Sequence, residues 1–193
     1  MAGSADAPRA PGPPVRDGRG LGRAVGGGLV ALRVEALDRR ADHDLGNLDE
    51  PGNPSFQQYQ HDHTRAWGAL IDSFDGYVFL VPEYNRAYPG ALKNALDYVY
   101  REWNDKAAGI ISYGGWVAGA RAAEALRLVL AELQVATVRA QPAILTHPSF
   151  RTGAFVPQEG LDTAVEGMFD QLIAWSGALR GVRRAKAQPA TAA

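Results

Sequence analysis

The chain has 193 residues, 46% of them hydrophobic and 21% charged, which predicts a soluble globular protein with one sizeable core. The formal net charge of −1 gives no overall field that favours nucleic acid or an anionic membrane surface as a partner. The absence of cysteine excludes disulfides and cysteine-based chemistry, and no apolar run approaches the roughly 20 residues that span a bilayer.

The two ends of the chain differ in composition from its middle. Of residues 1–28, 21 are alanine, glycine, proline or arginine. Because this segment offers little apolar area to offset its ordering entropy, the sequence predicts disorder over 1–28. The Ala/Pro/Gln/Thr tail at 185–193 is interpreted in the same way, which leaves one domain over 29–184. The N-terminus lacks a basic-then-apolar signal pattern, so the sequence also predicts a cytoplasmic protein.

Strand patterns and helix patterns alternate through the domain. The apolar periodicity predicts strands over 29–37, 76–81, 107–112 and, more weakly and broken by Pro142, 135–145. It predicts helices over 56–73, 90–103, 118–133 and 161–179. Such alternation indicates an α/β fold with a parallel sheet covered by helices.

The segment between the predicted strand 76–81 and the following helix is the most informative part of the chain. The strand is short, apolar and rich in β-branched and aromatic residues, and Pro82 ends it. Pro89 suits the first turn of a helix, where its missing N–H is not needed. Because ligands of open α/β sheets bind beyond the carboxyl ends of the strands, residues 82–88 are predicted to line a ligand site.

Two motifs in this order resemble the signature of the NADPH-dependent FMN reductases, which are flavodoxin-like proteins. The first is Pro82-Glu83-Tyr84-Asn85 followed by Pro89-Gly90-Ala91-Leu92-Lys93-Asn94-Ala95-Leu96-Asp97, and the second is Ser112-Tyr113-Gly114-Gly115. The similarity runs from about residue 29 to 180. It implies a flavodoxin-like three-layer sandwich, FMN as cofactor and NADPH or NADH as hydride donor. It also implies quinones, flavins or similar small-molecule acceptors as substrates, and a homodimer or homotetramer.

The resemblance also implies which residues contact the isoalloxazine ring. The cofactor-binding set is Pro82, Glu83, Tyr84, Asn85, Ser112, Tyr113, Gly114 and Gly115. Glycine lets a loop approach a planar ligand closely, and an asparagine amide both donates and accepts hydrogen bonds. The resemblance implies no catalytic residue, because the flavin itself accepts and passes on the hydride. Glu83 is interpreted as a turn residue that acts through its backbone rather than as an acid.

No metal site is predicted. His61 and His63 flank Asp62, but neighbours at i and i+2 on a helix point apart, and no further ligand cluster is visible.

One part of the family pattern is missing from the sequence. Family members begin with a strand and a Ser/Thr/Arg/Gly-rich loop that holds the FMN phosphate at a helix N-terminus. Residues 18–23 are rich in glycine and arginine, but no predicted strand precedes them. Residues 29–37 resemble the second strand, so the first strand is expected to be missing or replaced. This leaves open an alternative function, a flavin-deficient binding or assembly module whose aromatic residues near 98–103 are exposed for an interface. An electron carrier is a third interpretation.

Overall fold

In a computed structural model, the structure describes residues 45–151 and 154–187, together with the backbone of two short strands near the N-terminus. These strands, β1 (Leu21–Val25) and β2 (Gly28–Leu32), pair antiparallel in a sheet of their own. Residues 21–25 are therefore extended, within a segment for which the sequence predicts disorder. The other predictions for residues 1–20 and 33–37 concern residues outside the described part of the chain.

The main sheet is parallel, as predicted, and β4 is its central strand. Strand β3 (Gly76–Pro82) pairs with β4 (Lys106–Gly114) along its whole length. On the other side of β4, β5 (Val135–Thr137) pairs with its beginning and β6 (Ala143–Leu145) with its end. The weak strand predicted over 135–145 is therefore one sheet position filled by two short strands, and Pro142 lies in the break between them.

Five helices surround this sheet in the described part of the chain. They are α1 (Asp62–Asp72), α2 (Gly90–Asp97), α3 (Ala120–Glu132), α4 (Thr146–Ser149) and α5 (Leu161–Ala187). Short 3₁₀ turns cover Pro54–Phe56 and Arg101–Trp103. The predicted helix 90–103 thus ends at residue 97, and the predicted helix 161–179 continues through 187, across the domain boundary placed at 184. No helix of the described residues is long and apolar enough to cross a membrane.

The sheet separates two hydrophobic cores, which gives three layers. On one face Tyr77, Phe79 and Val81 of β3 pack into the larger core, whose other members include Trp67, Leu96, Tyr98, Trp103, Leu126 and Leu130. On the opposite face Val78 packs with Met168, Leu172 and Ile173 of α5. This alternation follows from the two-residue period of a strand. The flavodoxin-like fold is confirmed.

The aromatic residues near 98–103 are not free for an interface, which corrects the sequence-based expectation. Tyr98 and Trp103 are fully buried in the larger core. Tyr100 is half-buried, and its hydroxyl donates to the carbonyl oxygen of Glu132 at 3.2 Å. The apolar spacing over 98–103 therefore does not mark the face of a continuing helix, because these residues follow the end of α2 and pack into the larger core.

Strand β3 lies at an edge of the main sheet. No described strand pairs with its other edge, and Leu80 in the middle of β3 is 50% exposed although its neighbours along the strand are buried. In the flavodoxin-like order 2-1-3-4-5 this edge is the place of the first strand. The expectation of a missing or replaced first strand stays a prediction, because residues 1–20 lie outside the described part of the chain.

Candidate functional site

The carboxyl ends of β3 and β4 lie side by side, so the two sequence motifs meet at one edge of the sheet. Pro82 is opposite Tyr113 in the ladder, and the backbone N–H of Glu83 donates to the carbonyl oxygen of Tyr113 at 3.0 Å. A Cβ built on Gly114 would lie 3.3 Å from the Cβ of Glu83. The loops that leave these strands are therefore in direct contact, and together they form the candidate site.

The first loop is a tight turn that presents two side chains to solvent. The backbone N–H of Tyr84 donates to Ala87 at 2.8 Å, and that of Ala87 donates back at 2.9 Å. Asn85 and Arg86 between them have φ values of 48° and 70°, as in a type I′ turn. Asparagine tolerates this region better than most residues. The side chain of Tyr84 is 65% exposed and Asn85 is exposed as well, so both are open to a ligand.

The second loop, residues 115–119, is tightly held at its base and open at its tip. Gly119 has a φ of 81°, and a Cβ there would lie 2.7 Å from the backbone nitrogen and oxygen of Tyr113. The fully buried hydroxyl of Ser112 donates to the carbonyl oxygen of Ala118 at 2.8 Å. By contrast, Gly115 has open space around it and Trp116 is 98% exposed. Ser112 therefore fixes this loop with the hydroxyl that the sequence assigned to ligand contact.

Glu83 has a side-chain role that the sequence did not indicate. Its side chain is only 8% exposed, and its Oε1 accepts a 2.7 Å hydrogen bond from Nε of Arg121 in the first turn of α3. Its Oε2 is buried and has no hydrogen-bond partner in the described part of the chain. Glu83 thus makes both a backbone hydrogen bond to Tyr113 and an ion pair with Arg121, and its part in ligand contact stays a prediction.

Sequence reasoning missed Arg121 and Thr146. The hydroxyl of Thr146, at the start of α4, donates to the carbonyl oxygen of Gly114 at 3.1 Å and so ties the end of a third strand to the site. A cation in the first turn of a helix opposes the helix dipole, but this local pattern does not identify the partner of Arg121. Nothing local in the sequence singles out Thr146.

The rings of the histidine pair near α1 lie side by side. His61 precedes the helix, so its ring stacks on that of His63 with centroids 5.2 Å apart, and the two rings do not point apart as expected. Nε2 of His63 is 3.0 Å from a carboxylate oxygen of Asp49. Among the described residues, no group of three or more histidine, aspartate or glutamate residues is placed to hold a metal ion.

All eight predicted cofactor-binding residues lie at this one edge, although contact with a cofactor stays a prediction. A parallel sheet between two helical layers, with two loops meeting at its carboxyl edge, defines a flavodoxin-like α/β protein with a candidate ligand site at that edge. A family model described as NADPH-dependent FMN reductase matches residues 16–147. The chain belongs to this family. The match begins before residue 29, where the sequence analysis placed the start of the similarity.

Individual relatives carry related names. An NAD(P)H-dependent FMN reductase of Schizosaccharomyces pombe is 42% identical over 127 residues, which are 65% of this chain and 60% of the relative. A 2-hydroxy-1,4-benzoquinone reductase of Burkholderia is 29% identical over 167 residues, which are 75% of this chain and 91% of the relative. The chain spans 60% of the yeast relative's length and 52% of that of an FMN reductase from Nectria.

Solved structures support the fold. The flavoenzyme NAD(P)H:(acceptor) oxidoreductase FerB of Paracoccus denitrificans superposes with a TM-score of 0.54 at 23% identity. The superposition covers 69% of this chain and 78% of FerB.

Proposed function

We propose that this protein is an FMN-dependent NAD(P)H oxidoreductase that reduces quinones, flavins or similar small-molecule acceptors. Family membership supports the proposal, as do the names of the Schizosaccharomyces pombe and Burkholderia relatives. The observation that carries it is the hydrogen bond from Glu83 N–H to Tyr113 O, which joins the two signature motifs where β3 and β4 end. Two loops that start side by side can both contact one planar ring, each from a different direction.

The described side chains fit the ring of a flavin. Asn85 is exposed and offers both a donor and an acceptor to the polar edge of the ring. Tyr84 offers an exposed aromatic face, and the open space around Gly115 leaves room for a flat ligand to approach the backbone. These residues bind and orient the ring, while bound FMN supplies the hydride chemistry. The carboxylate of Glu83 is buried and paired with Arg121, so no proton transfer is assigned to it.

Donor and acceptor are proposed to use the same exposed ring face in turn. Because Tyr84, Asn85 and Trp116 are all exposed, this side of the site is open to solvent. A shared face requires the oxidised donor to leave before the acceptor enters, which is a ping-pong sequence. Initial rates measured at several fixed acceptor concentrations should then give parallel double-reciprocal lines.

A titration of the purified protein with FMN tests the proposal. The protein should show flavin absorbance as isolated or acquire it with micromolar FMN, and it should then oxidise NADPH or NADH in the presence of a benzoquinone. Asn85→Ala and Gly114→Val should weaken FMN binding. If the protein is colourless and does not quench flavin fluorescence at micromolar FMN, the proposed function is wrong.

A flavin-deficient binding or assembly module is the second candidate. One observation favours it: the described residues contain no strand followed by a Ser/Thr/Arg-rich turn that would hold the FMN phosphate at this edge. The FMN titration separates the two candidates, because the module would stay colourless while remaining folded by circular dichroism.

We further propose a homodimer or homotetramer. A groove of about 630 Å³ between α2 and α3 is lined by apolar and charged residues, and Leu128 in its lining is 77% exposed. A large exposed apolar side chain beside such a groove favours contact with another protein surface. Light scattering should report a mass at least twice that of the chain, and Leu128→Asp should shift it toward the monomer. A monomeric wild-type protein would contradict the proposal.

The cytoplasm is the proposed location, and the proposed partners are small molecules rather than nucleic acid or membranes. The net charge of −1 supports the proposal that the partners are small molecules. Fractionation of cells that express the tagged protein tests the proposed location.

A further inference from the structure

The Glu83–Arg121 ion pair joins the two loops of the site, and we propose that it positions them for the flavin ring. Glu83 and Arg121 are then positioning residues of the proposed flavin site, and this inference rests on the proposed function. We name the pair the Glu83–Arg121 clasp. It predicts that ring affinity depends on two residues whose side chains engage each other rather than the ring.

The position of the clasp supports this role. Glu83 is the first residue beyond β3 and directly precedes the turn that carries Tyr84 and Asn85. Arg121 is the second residue of α3 and follows the loop that carries Trp116. A bond between them fixes the start of one loop against the end of the other. The hydrogen bond from Ser112 to Ala118 stays within the β4–α3 connection, and the backbone hydrogen bond from Glu83 reaches only Tyr113 in β4.

The bonding of the carboxylate also supports it. Glu83 is nearly buried, and both recorded bonds of its carboxylate reach Oε1, from Nε and Nη2 of Arg121. The buried Oε2 has no partner in the described part of the chain. A half-satisfied buried carboxylate is a poor device for stability, because its desolvation is only partly offset. Such a group calls for a specific explanation, and its position between the two loops supplies one.

Close packing makes the site sensitive to the clasp. The Cβ of Glu83 is 3.3 Å from the position that a Cβ on Gly114 would occupy, and the nitrogen of Gly119 is 2.9 Å from the same position. Gly114 is thus packed closely between Glu83 and Gly119, and we expect a shift of Glu83 to disturb the base of the second loop.

The experiment uses Glu83→Gln, Arg121→Met and the double variant, in full-length protein that also carries Trp175→Phe. The control is Lys186→Ala, which removes an ion pair of 2.6 Å with Asp105 at the opposite edge of the sheet. The dissociation constant of FMN is measured by flavin fluorescence. We expect each single variant to raise it about tenfold and the control to leave it within twofold of the parent.

The double variant distinguishes a clasp from two separate effects. If the residues act through each other, the double variant should bind FMN no more weakly than the weaker-binding single variant, because the interaction is already lost. Losses that multiply, to about a hundredfold, would overturn the inference.

A second readout needs no flavin. With Trp175 replaced, Trp116 is the exposed tryptophan, because Trp67 and Trp103 are 2% and 0% exposed. Its time-resolved anisotropy should show a larger fast component in Arg121→Met than in the parent or in Lys186→Ala. Unchanged anisotropy together with unchanged FMN affinity would overturn the inference.

Two failures of the experiment are covered. If Glu83→Gln does not fold, Arg121→Met alone tests the inference, because the Arg121 side chain is 41% exposed and its replacement should leave the fold intact. If the wild type binds no FMN, the proposed function fails and the anisotropy alone decides whether the clasp exists.

Discussion

Gly114 fills a gap in which no side chain fits, between Glu83 on one loop and Gly119 on the other. A Cβ on Gly114 would lie 2.9 Å from the nitrogen of Gly119, whereas a Cβ on the next residue, Gly115, would meet nothing within 4 Å. Two adjacent glycines therefore serve different purposes. Gly114 permits the backbones to approach each other, and Gly115 leaves the space beside them open.

This difference gives a matched pair of variants. Gly114→Ala should destabilise the fold by about 1–3 kcal/mol, as overpacking does, and should weaken FMN binding. Gly115→Ala should change the free energy of unfolding by less than about 0.5 kcal/mol and still weaken FMN binding, because its methyl group enters the ligand space. Urea unfolding and FMN titration measure the two effects. Equal stability losses for both variants would contradict the described geometry.

The turn after β3 predicts a second set of variants. Arg86 has a φ of 70°, a region that glycine enters without a steric penalty, so Arg86→Gly should raise the free energy of unfolding by about 0.5–1 kcal/mol. Asn85→Ala should lower it by about 1 kcal/mol, because alanine tolerates its φ of 48° poorly.

Asn85→Gly is the control for the amide group. It removes the side chain but keeps the turn, so any loss of FMN affinity without loss of stability belongs to the amide. Thermal unfolding and FMN titration of the three variants separate the turn from the ligand contact. If Arg86→Gly destabilises the protein, the assigned turn conformation is wrong.

The sequence was sufficient to predict the elements that place the site. The apolar run ended by Pro82 and the pair of glycines at 114–115 marked two strand ends, and parallel strands bring such ends to the same edge. The end of α2 was not predictable in this way. The indole N–H groups of Trp67 and Trp103 donate to the carbonyl oxygens of Ala95 and Leu96, at 2.9 and 3.1 Å, and so cap the end of that helix with side chains from outside it. The spacing of apolar residues along the sequence cannot reveal a helix cap that depends on tertiary structure.

The same limit applies to the site. Arg121 lies 38 residues from Glu83, and Thr146 lies 32 residues from Gly114. Their roles depend on which strand ends become neighbours, and local patterns do not contain that information. The basic residues near the end of α5 are a further case. They suggest a solvated helix end, but Arg180 and Arg183 both pair with Asp75, just before β3.

This ion-pair cluster predicts how the protein responds to acid. Burial alone would raise the pKa of Asp75, but the hydrogen bond from Arg180 and the charges of Arg180, Arg183 and Lys106 outweigh it and hold the pKa below its usual value. A carboxylate with a lowered folded-state pKa stabilises the fold above the unfolded-state pKa, near 3.8, and loses this effect as the pH falls through the folded-state value. Asp75→Ala should therefore lower the free energy of unfolding by about 1–3 kcal/mol at pH 7.

The difference between Asp75→Ala and the wild type should shrink as the pH falls below 4. Urea unfolding at pH 7, 5, 4 and 3.5 measures it. Glu124→Ala is the control, because its partner Arg127 is 3.6 Å away and its own side chain is 74% exposed. The control should change stability by less than about 0.5 kcal/mol. A pH-independent loss for Asp75→Ala would show that its charge is not the cause.

Lys106 predicts a gain in stability as the pH rises into the alkaline range. Its side chain is 2% exposed, and Nζ donates to the carbonyl oxygens of Ile71 and Asp72 at 2.8 and 3.1 Å at the end of α1. Burial lowers the pKa of Lys106 to about 8, although the nearby carboxylate of Asp72 partly opposes the shift. Because the unfolded chain binds this proton more tightly, the folded state gains stability as the pH rises from about 8 toward 10.

The linkage relation sets the gain between pH 7.5 and 9.5 at no more than about 2 kcal/mol for this shift. Lys106→Met should abolish the gain, although it also removes donors from two carbonyl oxygens and so lowers stability at every pH by about 1–3 kcal/mol. The measurement is urea unfolding across this range for both proteins. It stops below pH 10, because burial raises the pKa of Tyr77 and ionisation of unfolded tyrosine then favours unfolding. Parallel pH profiles for the wild type and Lys106→Met would show that Lys106 keeps its proton throughout, and that the carbonyl oxygens and Asp72 outweigh its burial.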